Sequence, residues 1–127
     1  MSKKWNVAVV GVTGAVGVEM VNCLERCNFE IGNFVPMASA RSAGKKVSLR
    51  GKEYTVVEAG PAAFKNIDIA LMAVEADQSK EFSPALAKSG AVVIVNSSAY
   101  RRDPECPLVV PEVNPQAARN RPKGIIA

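Results

Sequence analysis

Three glycines, Gly11, Gly14 and Gly17 in the run GVTGAVG, are the residues of this chain whose spacing most directly suggests chemistry. They lie between a β-branched run, WNVAVV from Trp5 to Val10, and a stretch whose apolar residues fall at helical spacing from Ala15. Glycine permits a tight strand-to-helix turn and a close backbone approach, and the free N–H groups of a helix start attract a pyrophosphate. The spacing is G-x-x-G-x-x-G rather than the commoner G-x-G-x-x-G, but the physical requirement is the same. Gly11, Thr13, Gly14, Ala15, Val16 and Gly17 are therefore candidate dinucleotide-binding residues. The alternative is a sharp turn that binds nothing.

A second set follows in MASARSAGKK, where Ser39, Arg41 and Ser42 place two hydroxyls around a guanidinium. A dinucleotide unit that takes NAD usually ends its second strand near an acid that accepts the ribose hydroxyls. This chain has no acid between Gly32 and Arg50. Arginine with hydroxyl donors instead suits a 2′-phosphate, which an aspartate would repel. The set points to NADP rather than NAD. The bland alternative is a solvated loop whose arginine meets only water.

These residues need elements to hold them. The pattern predicts a buried strand at Trp5–Val10 and a helix from Ala15 to about Cys27, on Val16, Met20, Leu24 and Cys27. NFVPMA is a second, shorter strand candidate that Pro36 places near an edge or weakens. KVSLRGKEYTVVEA reads as a hairpin turning at Arg50-Gly51. IDIALMAV is a buried strand, DQSKEFSPALAKSG a helix with Asp77 as cap and Gly90 as stop, and AVVIVN another buried strand. PLVVPEV is a candidate fifth strand, and GIIA at Gly124–Ala127 begins one more. The alternation is that of an α/β, Rossmann-like, doubly wound and mostly parallel sheet with a small β-hairpin insertion. The whole of residues 1–127 reads as one NADP-binding domain and, because GIIA only begins a strand, as the front part of something longer, which the resemblance set out below implies is a two-domain enzyme.

Composition narrows the class. A chain of 127 residues has room for one core. A net charge of +4 suits a small anionic ligand, and the positives are too scattered to argue for nucleic acid. The apolar runs are too short for a membrane span. No charged-then-apolar leader opens the chain, so a cytoplasmic location is the expectation. With no histidine, Ser-His and Cys-His catalysis has no base here. Cys23, Cys27 and Cys106 lack the partners of a zinc site, and no metal is expected. They read as buried or half-buried thiols.

Taken in order, GVTGAVG, ASARSAGK, VNSSAYR and PLVVPEVNP resemble the N-terminal half of the aspartate-β-semialdehyde dehydrogenase family, over essentially Trp5 to Ala127. The resemblance implies NADP-dependent reductive dephosphorylation of β-aspartyl phosphate to aspartate semialdehyde, on the route to lysine, threonine, methionine and isoleucine. It implies loop contacts to the cofactor from Thr13, Gly14, Ala15 and Val16, and a 2′-phosphate held by Arg41 and Ser42 with Ser39. Arg101 would bind inorganic phosphate or the acyl phosphate, as a guanidinium can bidentately, and Asn96 would lie near the substrate. The partners are then small molecules, an acyl phosphate or aldehyde and phosphate, with no nucleic acid and no membrane; family members are typically homo-oligomers. The family's nucleophilic cysteine would follow the GIIA strand, and its histidine base lies in the second domain. No residue present here is therefore catalytic, and the chain alone is expected to be inactive.

One departure stands out. Where the family often has a Ser-Ala-Gly-Gly type of turn, this chain has Ala73-Val74-Glu75-Ala76, and Glu75 brings an acid near a pyrophosphate. This keeps open a stand-alone or catalytically silent NADP-binding module. A reductase of N-acetylglutamyl phosphate shares the chemistry, but ASARSAGK and PLVVPEVN fit it less well.

Overall fold

Among the described residues the β-branched runs assemble into one parallel sheet of six strands. The computed structural model describes residues 4–27, 30–96, 106–109, 112–119, 121 and 124–127. Its central strand is β1 (Trp5–Val10), in which Val7, Ala8, Val9 and Val10 are all buried. Burial on both faces is why the run is continuously apolar rather than alternating. The helix α1 (Ala15–Arg26) leads to β2 (Ile31–Ala38), which pairs parallel with β1. Next come the hairpin β3 (Lys46–Leu49) and β4 (Lys52–Thr55), and a two-residue strand β5 (Val57–Glu58). Beyond a 3-10 turn at Pro61–Ala63 lie β6 (Ile69–Met72), α2 (Ala76–Lys88), β7 (Val92–Val95) and β8 (Ile125–Ile126). The sheet order is β5-β2-β1-β6-β7-β8, and every pairing in it is parallel.

Register explains why β2 tolerates Pro36. The Met37 carbonyl accepts from Gly11 N–H at 2.8 Å, so Met37 turns its polar groups toward β1. Alternation turns the nitrogen of Pro36 outward, at a level that β5, paired only with Met37 and Ala38, does not reach. The missing donor therefore costs the sheet nothing. The hairpin turns where expected: Arg50 (φ 52°) and Gly51 (φ 80°) both have positive φ, as a two-residue type I′ turn requires. Its second arm ends at Thr55, however. Val57 and Glu58 leave the hairpin and join the main sheet beside β2.

Two expectations need correction. Asp77 does not cap α2; Glu75 is the N-cap residue, with no side-chain hydrogen bond, and Asp77 sits in the first turn. Gly90, at φ 105°, does stop the helix. The helix runs through Pro84, whose exposed ring leaves the carbonyl one turn earlier to water on the solvent side. Among the described residues of PLVVPEV, Pro107–Val109 is not a strand. It lies beside Ala127, which accepts from Val109 N–H at 3.0 Å and donates to the Pro107 carbonyl at 2.9 Å. Those bonds engage one residue, too few for a ladder.

The core has two layers, one on each sheet face. Under α1 and the hairpin lie Val7, Val9, Val21, Leu24, Phe34, Leu49 and Val56. Under α2 lie Ala8, Val10, Met37, Ala70, Met72, Leu86, Val93 and Ile125, with Phe64 and Cys106. Cys106 is buried as expected, whereas Cys23 and Cys27 are exposed. Among the described residues no helix is long and apolar enough to cross a membrane.

Candidate functional site

The chain leaves β1 toward β2 on one side, and the later strands β6 and β7 add on the other. In a parallel sheet the loops diverge at such a point and leave a crevice at the carboxyl ends of the strands. Here that crevice is a cleft of about 830 Å³. It is lined by residues following β1 (Gly11, Thr13, Gly14, Val16), β2 (Ser39, Ala40), β6 (Ala73, Val74, Glu75) and β7 (Asn96), and by Glu58 and Gly60 around the end of β5. The face of α2 carrying Gln78, Glu81 and Phe82 closes one side.

The three glycines have different reasons to be glycine. Gly11 has φ 88°, and a Cβ on it would stand 2.5 Å from the Ala73 carbonyl oxygen. A Cβ on Gly17 would stand 2.1 Å from the Gly11 carbonyl oxygen, because α1 packs directly on the loop. The fold itself requires both. Gly14 is unlike them: its backbone is extended (φ −78°, ψ 170°), and its nearest neighbour to a Cβ would be 3.6 Å away. Nothing among the described residues demands glycine there. Gly14 is also the N-cap of α1 and lines the cleft, and no side chain caps that helix. The first-turn N–H groups of a helix lack partners within it. An uncapped helix start behind a bare Cα on a cleft wall is the chemistry of an anion cradle.

Ser39 and Ala40 begin the turn after β2 and line the cleft. Ser42, only 8% exposed, is turned inward, and its Oγ lies 3.5 Å from Thr13 Oγ1. The two loops singled out by sequence are thus joined through these hydroxyls. Arg41 is exposed at the rim and is not itself a lining residue. Ala15 is exposed at the first position of α1, and Gly17 is buried. Asn96 follows β7, with its N–H donating to the Met72 carbonyl at 3.3 Å. Arg101 lies outside the described residues.

Sequence reasoning missed Glu58, Gln78, Glu81 and Phe82. The last three were accessible in principle, since with Glu75 they fall at helical spacing on one face of α2. Glu58 had no such signal, because its stretch reads as the outer arm of the hairpin. With Glu75, these put three carboxylates and no cation among the lining residues. An anionic ligand there would meet backbone N–H groups rather than a cation among the described lining residues.

A family model described as semialdehyde dehydrogenase, NAD binding domain, matches residues 6–121. Aspartate-semialdehyde dehydrogenase of Aquifex aeolicus (strain VF5) is 50% identical over 125 residues, 97% of this chain and 37% of that protein. Its counterpart from Bacillus subtilis (strain 168) is 47% identical over 127 residues, all of this chain and 36% of that protein. Among solved structures, aspartate semialdehyde dehydrogenase II of Vibrio cholerae, complexed with ASA, superposes with a TM-score of 0.92 at 40% identity. It is matched over 98% of this chain and 41% of its own. The Candida albicans enzyme with NADP superposes at 0.78 with 27% identity, over 98% of this chain and 42% of its own. The chain thus spans little more than a third of the length of the curated relatives it matches.

Proposed function

We propose, from the premise that this chain belongs to the semialdehyde dehydrogenase family through its NAD-binding domain, that it seats NADP for the reduction of β-aspartyl phosphate to aspartate semialdehyde. The observation that carries the cofactor reading is Gly14. Its conformation is open to any residue and its surroundings leave room for a side chain, so the bare Cα is explained by a ligand pressed against the loop. The preference for NADP rests on Arg41 and Ser39 beside the end of β2, and on the absence of an acid in that turn.

In this reading the first turn of α1 and the Gly14 backbone hold the pyrophosphate, and Ser39 with Arg41 holds the 2′-phosphate. Ser42 acts through Thr13, fixing the glycine loop against the turn that carries Arg41. The bound nicotinamide supplies hydride chemistry. Asn96 stands at the substrate end of the cleft, and Arg101 takes the phosphoryl group. The nucleophile is assigned to the part of the relatives that this chain does not match, which supports treating residues 1–127 as the cofactor-binding front of a two-domain enzyme. The chain alone is then inactive.

The test is a calorimetric titration of the chain with NADP, NAD and 2′,5′-ADP. NADP and 2′,5′-ADP should bind, with NAD at least about tenfold weaker, the order expected of one bidentate arginine–phosphate contact. Arg41→Ala should remove that preference. Equal affinity for NAD and NADP would refute the assignment of Arg41, and no binding of any of the three would refute the cofactor reading itself.

A further inference from the structure

Two of the three thiols sit together and do not line the cleft. Cys23 and Cys27, one helical turn apart at the end of α1, are both exposed. The Cys27 N–H donates to the Cys23 carbonyl at 3.0 Å, and Cys27 has φ −80°. Both Cβ atoms therefore keep near-helical positions, although the chain leaves the helix there. Helical positions four apart share a face, with Cβ atoms about 5–6 Å from each other. Each sulfur also meets a guanidinium: Arg26 Nη2 lies 3.9 Å from Cys23 Sγ, and Arg50 Nη2 lies 3.5 Å from Cys27 Sγ. Arg50 is held in that place by donating to the carbonyls of Leu24, at 3.0 Å, and Cys27, at 2.9 Å.

We infer that Cys23 and Cys27 form a two-thiolate site for a soft monovalent metal ion of the copper(I) class. Spacing supplies the first argument. A disulfide needs Cβ atoms about 3.5–4.5 Å apart, closer than one helical turn places them. A single metal atom between the sulfurs spans the wider gap. Ligand number supplies the second. A structural zinc takes four ligands, and among the described residues no third His, Cys, Asp or Glu joins the pair in a metal-holding group. Copper(I) is selected by soft thiolates and is satisfied by two of them in line. The remaining thiol, Cys106, is buried in the layer under α2, on the other face of the sheet from α1. Charge supplies the third. The ligands are thiolates, so binding releases their protons and leaves one monovalent cation between two negative sulfurs. That complex is an anion, and the Arg26 and Arg50 guanidiniums stand beside the sulfurs that carry its charge. The same pair on a divalent ion would be neutral and would gain less from them.

The test titrates the reduced chain with copper(I) under nitrogen, in competition with a chromophoric copper(I) chelator. The wild type should take up one ion per chain. Cys23→Ser and Cys27→Ser, both at exposed positions, should each keep the wild-type circular dichroism and lose at least about a hundredfold in affinity, since a lone thiolate remains. Arg26→Ala should weaken binding about tenfold, as expected of a group that supports a metal ligand without touching the metal. On the wild type alone, bound copper should shield Cys23 and Cys27 from alkylation and leave the reactivity of Cys106 unchanged. X-ray absorption should show two sulfurs around the ion. No uptake by the wild type, uptake that survives either serine variant, a third sulfur or an ion shared between two chains would overturn the site. Undiminished binding by Arg26→Ala would overturn the part assigned to the guanidiniums.

Discussion

Among single residues, the contrast within the glycine loop separates fold from function. Gly17 is pressed against the Gly11 carbonyl, so any Cβ forces α1 off the loop. Gly17→Ala should cost about 2–4 kcal/mol, in the range of severe overpacking, and be read as a large fall in Tm. Gly14→Ala meets nothing closer than 3.6 Å and leaves an ordinary backbone conformation. It should melt within a few degrees of wild type while losing at least about tenfold in NADP affinity. If Gly14→Ala binds NADP normally, the loop is a turn and no more. Thr13 and Ser42 belong to the same scale. Their hydroxyls, 29 positions apart in the chain, meet at 3.5 Å and tie one ligand-facing loop to the other.

Between elements, the hairpin explains itself through α1. That helix ends at Cys27 in an extended conformation, without the glycine that commonly closes a helix. Its last carbonyls are taken by Arg50 from the hairpin turn, whose Nη2 donates to Leu24 O at 3.0 Å and Cys27 O at 2.9 Å. The Arg50 N–H in turn donates to Glu25 Oε1 at 2.7 Å. A residue that reads as one more cation in a basic stretch is therefore a helix cap supplied from a distance. Arg50→Gly suits the positive φ but removes the cap. It should destabilise the chain by about 1–2 kcal/mol, measured by urea denaturation, since charge-assisted bonds to partly exposed carbonyls contribute at that level. A variant as stable as wild type would show that the guanidinium contacts are idle.

For the whole molecule, the two sheet faces are unequally covered. Register aligns Val9, Leu71, Ile94 and Ile126 in one row across β1, β6, β7 and β8 on the α1 side. Val9 is fully buried beneath the α1 layer, but Ile94 is 36% exposed and its neighbours are half-buried. Parallel sheets usually bury both faces, so this row is unfinished surface. The chain should self-associate as its concentration rises in sedimentation velocity, and Ile94→Lys should reduce that association. A wild-type chain that stays monomeric at high concentration would show that the row is too small to drive it.

Much of this was legible in sequence because it depends on local chemistry. Strand β1, helix α1, the turn at Arg50-Gly51 and the stop at Gly90 follow from β-branched runs, helical spacing and residues that tolerate positive φ. The glycine loop and the Ser39–Arg41–Ser42 set stood out for the same reason, as contiguous residues whose types suit a phosphate. The four motifs, read in order, also indicated the family. Other features depend on residues far apart in the chain, and only the tertiary structure decided them. Val57 and Glu58 look like the arm of a hairpin until β2 offers them an open edge. Arg50 becomes a cap only where α1 happens to end. Gly14 can be told from Gly11 and Gly17 only when the packing around each is known, because all three look alike in a string of letters. Spacing along a chain encodes what a residue can do with its near neighbours; which distant groups it meets, and so whether it serves the fold or a ligand, is determined by how the layers pack.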